Sequence, residues 1–191
     1  MGKTPEPSWH SVKKDGDIEI RAYDPMIVAE ATTTGQRSTA INEGFSILAD
    51  FIFGGNTVNQ KIEMTAPVTQ QALNTISQKI PMTAPVTQIA TGNNNEWKTS
   101  FIMPSDYTLA TLPKPNNANI KIREVPAYEV AVIRFSGFNS DKNLLIHEAK
   151  LVAWIEKNNI KAIGKPTYAF YNPPWTPPFM KRNEVMIKIA P

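Results

Sequence analysis

The chain has no cysteine among its 191 residues. Disulfides, thiolate metal sites and cysteine nucleophiles are thereby excluded, while the redox compartment stays open. Histidine is nearly as scarce, with only His10 and His147, which leaves little for imidazole-based metal or acid–base chemistry. No apolar run approaches the roughly 18–20 residues of a membrane-spanning helix, and the opening MGKTPEPSWH carries no apolar segment of signal-peptide type. As written, the chain reads as cytoplasmic, or as an exported protein whose signal has been removed. It also lacks a block of one charge sign. Twenty basic against seventeen acidic residues leave a net charge of +3, and the basic ones stand singly or in pairs such as Lys13-Lys14 and Lys181-Arg182. A nucleic-acid surface would concentrate them, so nucleic acid is not an expected partner, whereas a small anion suits this surface. Ser-His-Asp arrangements, metal-ligand spacings and phosphate-cradling loops are all missing. TGNNNEWKT, for instance, has no strand–glycine–helix context. No enzymatic activity is expected on these grounds.

What is present is a globular composition, 41% hydrophobic and 19% charged, of a length that suits one domain or two small fused halves. Two repeats organise it. KIEMTAPVTQ (Lys61–Gln70) and KIPMTAPVTQ (Lys79–Gln88) agree at nine of ten positions, eighteen residues apart. Apolar residues alternate in both, at Ile62, Met64, Ala66 and Val68 and at Ile80, Met82, Ala84 and Val86. Each is expected to be a strand with one buried face, the two neighbouring in one sheet and ending near Pro67 and Pro85. A longer repeat aligns Ile18–Gly35 with Ile120–Gly137 at a constant offset of 102 residues. Each copy reads as two alternating strands about a proline-containing turn, closed by glycine and followed by a helix.

The first helix is expected over Ser38–Phe53, capped by Ser38 or Thr39 and stopped by Gly54-Gly55. Ile41, Phe45, Leu48 and Ile52 fill its inner face, and Ala40, Gly44, Ile47 and Phe51 widen the apolar arc to one side. The second is expected over Ser140–Asn159, with Leu145, Ala149 and Val152 on one stripe and Leu144, Leu151 and Ile155 beside it. Further strands follow at Trp97–Pro104, Pro166–Asn172 and Asn183–Ala190. The fold class is therefore α+β. It comprises a flexible N-terminal tail over 1–16 and a single domain over 17–191, with half-repeats over about 17–112 and 119–191.

IEIRAYDPMIVAE, KIEMTAPV, SFIMPSDYTLATLPKP, EVAVIRFSG and YAFYNPPWTPPFMKRNEVMIKI carry a further inference. In these segments and in their order, from about Asp17 to Ile189, the chain resembles the SOUL/heme-binding protein family. The resemblance implies a distorted β-barrel with two α-helices built from a duplicated βαββ unit, and reversible binding of heme or another porphyrin by a monomer. It also implies a relation to small-molecule effector domains of bacterial regulators. Some animal members are proposed to ligate iron through a histidine in the first strand. Matching IEIRAY to that stretch puts Ala22 there, so that mode is closed to this chain.

The candidate residues each have a functional and a plain structural reading. Met64 and Met82 offer thioethers to iron, but their alternation with Ile and Val is that of core filler. His147 shares an edge of the second helix with Trp154 and reads as a surface or half-buried histidine. Without a protein axial ligand, a porphyrin needs an apolar face and cations for its propionates. Gly44 lets a flat ring, or another backbone, approach the first helix closely. The family places its tetrapyrrole against this helix, which implies Phe45, Leu48 and Phe51 as contacts. Four prolines between Pro173 and Pro178 stiffen a loop that presents Trp175 and Phe179, either as a ligand wall or as core closure. Lys181 and Arg182 follow as partners for carboxylates. An alternative reading is a small-molecule effector domain or hydrolase on the related fold, with Glu184 as acid or base and Tyr171 and Trp175 lining the cavity.

Overall fold

The computed structural model describes residues 5–58, 77–92 and 95–191. Its strands are β1 (Trp9–Asp15), β2 (Ile18–Tyr23), β3 (Met26–Thr34), β4 (Asn56–Thr57), β5 (Val86–Ala90), β6 (Glu96–Ile102), β7 (Lys114–Pro115), β8 (Ile120–Val125), β9 (Tyr128–Phe135), β10 (Thr167–Phe170) and β11 (Asn183–Ile189). Helix α1 (Arg37–Phe53) follows β3, and α2 (Asp141–Lys157) follows β9. Nine strands form one curled antiparallel sheet, a half-barrel in the order β1-β2-β9-β11-β10-β5-β6-β3-β8, while β4 and β7 pair separately. The architecture is α+β, as expected.

Strand partners differ from a hairpin reading of the long repeat. β2 does not pair with β3. It pairs with β9, Ile18 opposite Ile133 through Tyr23 opposite Tyr128, and β3 pairs with β8, Met26 opposite Val125 through Ala31 opposite Ile120. The two-residue Asp24-Pro25 link does not make a type I′ hairpin turn, because Pro25, fixed at a φ of about −65°, cannot take the positive φ that the second central position requires. Each strand of the first segment thus takes one neighbour from the second, its other neighbour being β1 for β2 and β6 for β3. Gly35 and Gly137 end β3 and β9 with φ of 114° and 107°, values that glycine adopts without a steric cost.

Alternation decides which residues face the helices. On β9 and β11 the inward set is Ala131, Ile133, Phe135, Val185, Ile187 and Ile189, packed under Leu144, Leu151 and Ile155 of α2. On β3 and β6 it is Ala29, Ala31 and Phe101, packed under Leu48, Phe51 and Ile52 of α1. Both helices are rotated from their expected orientation. Leu145 and Val152 are exposed on α2, so the stripe beside them is the core stripe. On α1, Ala40, Gly44, Leu48, Phe51 and Ile52 are buried, and the flanking arc is the inner face. A Cβ on Gly44 would stand 2.5 Å from Thr99 Oγ1 and 2.7 Å from Thr99 Cβ. The glycine therefore admits the Thr99 side chain of β6, rather than a flat ring or another backbone.

Three local features also depart from expectation. Residues 9–15 form a strand rather than a tail, held by β2 and by Trp154 Nε1 donating to Asp15 at 2.8 Å. The cap of α1 is Gln36, without a side-chain bond, whereas Ser140 caps α2 by accepting from Asn143 N. KIPMTAPVTQ becomes a strand only from Val86, with Ala84–Pro85 in the cis form. Ile80 and Met82 still pack beneath α1, so the alternation marks burial correctly but not the ladder. The other copy, including Met64, lies outside the described residues.

Candidate functional site

Two surfaces gather the residues that can meet a ligand. The first lies on the helix side, along the seam between the two cores. Phe45 of α1 stacks edge-on against Phe101 at 5.3 Å between centroids. Phe101 stands opposite Val86 across the β5–β6 pair, and Val86 stands opposite Phe170 across the β5–β10 pair. Strands lie about 4.8 Å apart, so these three residues form an apolar row about two strand spacings long beneath the seam, with Phe101 and Val86 buried and Phe170 partly buried. The proline-rich loop follows Phe170 in the chain. Gly137 N donates to Pro178 O at 2.9 Å and Asn183 Nδ2 to Gly137 O at 3.0 Å, which ties this loop to the one preceding α2. Trp175 is 81% exposed, Phe179 78%, and Phe138 and Met180 are exposed beside them. Phe45 is itself 38% exposed.

The remaining sequence candidates are distributed unevenly about this corner. Leu48 and Phe51 are wholly buried against β3 and β6, so they present no surface to a ligand and the expected slot beside α1 is filled by the protein's own strands. Lys181 is half-buried next to Phe179. His147 stacks on Phe135 at 3.8 Å between ring centroids, and its Nδ1 lies 2.8 Å from Asn143 O, the environment of a packed surface histidine. Met82 is core filler. No cluster of three or more metal-ligating side chains occurs among the described residues.

Arg182 and Glu184 belong elsewhere, on the opposite face of the sheet. Glu184 is wholly buried and accepts four bonds, from Arg21 Nη1 at 2.9 Å and Nη2 at 3.1 Å, Arg182 Nε at 2.9 Å and Tyr171 Oη at 2.7 Å. Arg182 also reaches Glu6 at 3.0 Å and lies 3.7 Å over the Tyr171 ring. Burial, and then the neighbouring Glu184 charge, push the Tyr171 phenol above its ordinary value, so it stays a donor. A carboxylate with its lone pairs filled in this way has no free position for a substrate proton. The geometry is that of a structural clamp. Trp175, in turn, is exposed rather than enclosed with it.

Further along the same face is a cleft of about 270 Å³. Val28, Ile102, Val125, Tyr128 and Met186 give it apolar walls, and Glu30, Lys98, Arg123, Lys165 and Lys188 give it charge. Arg123 Nη2 donates to Glu30 at 2.6 Å and Lys98 Nζ lies 3.4 Å from the same carboxylate. Lys188 Nζ sits over the Tyr128 ring at 4.3 Å. Sequence reading missed this cleft. Its trace was there, since Glu30, Arg123 and Lys188 are charges on the outward parity of alternating strands, but only pairing brings the three strands together.

The SOUL heme-binding protein model matches residues 4–188. The chain belongs to the SOUL heme-binding protein family. No curated protein matches this SOUL chain in sequence. Among solved structures it is similar to the EcmrR C-terminal domain, at 14% identity and TM-score 0.59 over 91% of this chain and 96% of that one. A hydrolase from Listeria innocua is similar at 11% identity and TM-score 0.58, over 94% of each chain. At such identities the likeness concerns the fold alone.

Proposed function

We propose that this SOUL protein binds heme or another porphyrin reversibly, as a carrier or buffer, at the aromatic corner on its helix side. The macrocycle lies over the seam between Phe45 and the proline-stiffened loop, with Trp175 and Phe179 against its face and Lys181 beside a propionate. Iron takes no protein axial ligand. The observation that carries this reading is the exposure of Trp175 and Phe179 on a loop held at Pro178 O, which accepts from Gly137 N. Large aromatics are seldom left in water without a partner, and prolines lower the entropy lost when a ligand orders them. Leu48 and Phe51 act only by supporting the helix, and Arg182 only through Glu184.

A hemin and protoporphyrin titration followed in the Soret region and by tryptophan fluorescence tests this. Saturable one-to-one binding of both is expected. Replacing Trp175 and Phe179 together by alanine removes two aromatic contacts of about 1 kcal/mol each, so hemin affinity falls by about tenfold or more. His147→Ala leaves the hemin spectrum unchanged. Hemin affinity indifferent to the aromatic pair, or a Soret shift in His147→Ala, overturns the assignment.

A further inference from the structure

The cleft on the far side of the sheet is not needed for the porphyrin site, and its chemistry differs. One carboxylate, Glu30, faces four cations, Lys98, Arg123, Lys165 and Lys188. Arg123 and Lys98 already share that carboxylate. Among the described residues, no acid pairs with Lys188 or Lys165. Lys188 nevertheless lies among Tyr128, Val125, Val130 and Met186, and burial, followed by the nearby Arg123 charge, pulls it below the usual lysine value. Its side chain is exposed at the mouth of the cleft, so the ammonium, beside a second cation and without an acid partner among the described residues, is open to an anion from solution.

We propose that this cleft is a second binding site, selective for a small amphipathic carboxylate whose anionic head meets Lys188 and Arg123 and whose rings lie on Tyr128 and Met186. Size sets the class. A dry cavity of about 150 Å³ accepts benzene, so 270 Å³ takes one or two fused rings and cannot enclose a porphyrin. The charge of the rim sets the sign. A cationic guest meets four like charges for one opposite, and a neutral guest leaves Lys188 as it was.

The probes are 1-naphthoate, 1-naphthylmethylammonium and 1-naphthalenemethanol, titrated into the full chain and followed by amide chemical shifts. Naphthoate is expected to bind saturably, with shifts centred on Tyr128, Val125 and Met186, and at least about tenfold more tightly than the other two, a difference of about 1.4 kcal/mol. Lys188→Glu, with folding checked by its thermal transition, inverts the preference toward the ammonium, while Lys188→Met removes the preference between naphthoate and the alcohol. Should the ammonium match naphthoate in the native protein, or Lys188→Glu retain the naphthoate preference, the site is not anion-selective. Shifts confined to the helix side overturn it as well. Pre-saturation with hemin leaves naphthoate binding intact, and the Trp175/Phe179 double variant retains it, so failure of either site is seen separately from the other.

Discussion

Glu30 and Glu184 both project from the face of the sheet opposite the helices, and their surroundings assign them different tasks. Glu184 is enclosed by two arginines and a tyrosine. Removing one partner of such a buried group costs about 3–5 kcal/mol, because the charges left behind are unpaired, and this makes it a poor place for proton traffic. Glu30 is also buried, but its partners Lys98 and Arg123 are partly exposed. Burial raises its carboxyl, but the Arg123 hydrogen bond and then the Arg123 and Lys98 charges more than offset this and hold it below 4.5. A carboxyl depressed in the folded state stabilises above its unfolded value and loses that contribution as pH falls through the folded one. Glu30→Gln should therefore be less stable than the native chain at neutral pH, by about 1–2 kcal/mol given the partial exposure of Arg123. The difference should shrink progressively below pH 4.5. Urea midpoints across that range measure it, and a gap of constant size would show that the ion pair contributes nothing.

The helices show how far periodicity can be read. Their existence and ends were legible: Arg37–Phe53 and Asp141–Lys157 fall within two residues of the expected spans, because caps, glycine and apolar spacing are local signals. Their rotation was not. On α2 two apolar stripes lie side by side, and Leu145–Ala149–Val152 competes on equal terms with Leu144–Leu151–Ile155 until β9 and β11 select one. On α1 the width of the apolar arc concealed which edge the sheet covers, so Phe51 read as a contact when it is core. Gly44 held the deciding information, since a glycine facing β6 lets the helix settle where a side chain would collide with Thr99. Gly44→Ala gains about 1 kcal/mol of helix propensity, but the added methyl must push α1 off Thr99, and overpacking of this kind costs about 1–3 kcal/mol. The variant should melt lower than the native protein. A higher melting temperature would mean that α1 does not rest on β6 as closely as described.

At the scale of the molecule, the feature hidden from the sequence is the exchange of partners. The alignment of Ile18–Gly35 with Ile120–Gly137 located four strands and implied two similar units, but alternation is silent on which strand pairs with which. Contacts with the other segment close the sheet: β2 lies on β9 and β3 on β8, while β5 reaches β11 only through β10. The aromatic corner depends on the same arrangement, because Phe45, Phe101 and Val86 belong to the first half and Phe170, Trp175 and Phe179 to the second. The cleft likewise joins Glu30 of β3 to Arg123 of β8 and Lys188 of β11. A half cut at the 113–118 segment would keep its helix and its internal ladders, β1–β2 and β3–β6 or β9–β11, but would lose the β2–β9 and β3–β8 pairings, opening one edge of each ladder and leaving β8 without a partner. Fragments 1–112 and 119–191 should each lack a cooperative thermal transition when separate. Mixed in equal amounts, they should recover one, together with hemin binding. If either fragment alone melts cooperatively, strand pairing within a half suffices for folding, and the exchanged sheet is not what holds the two ligand surfaces together.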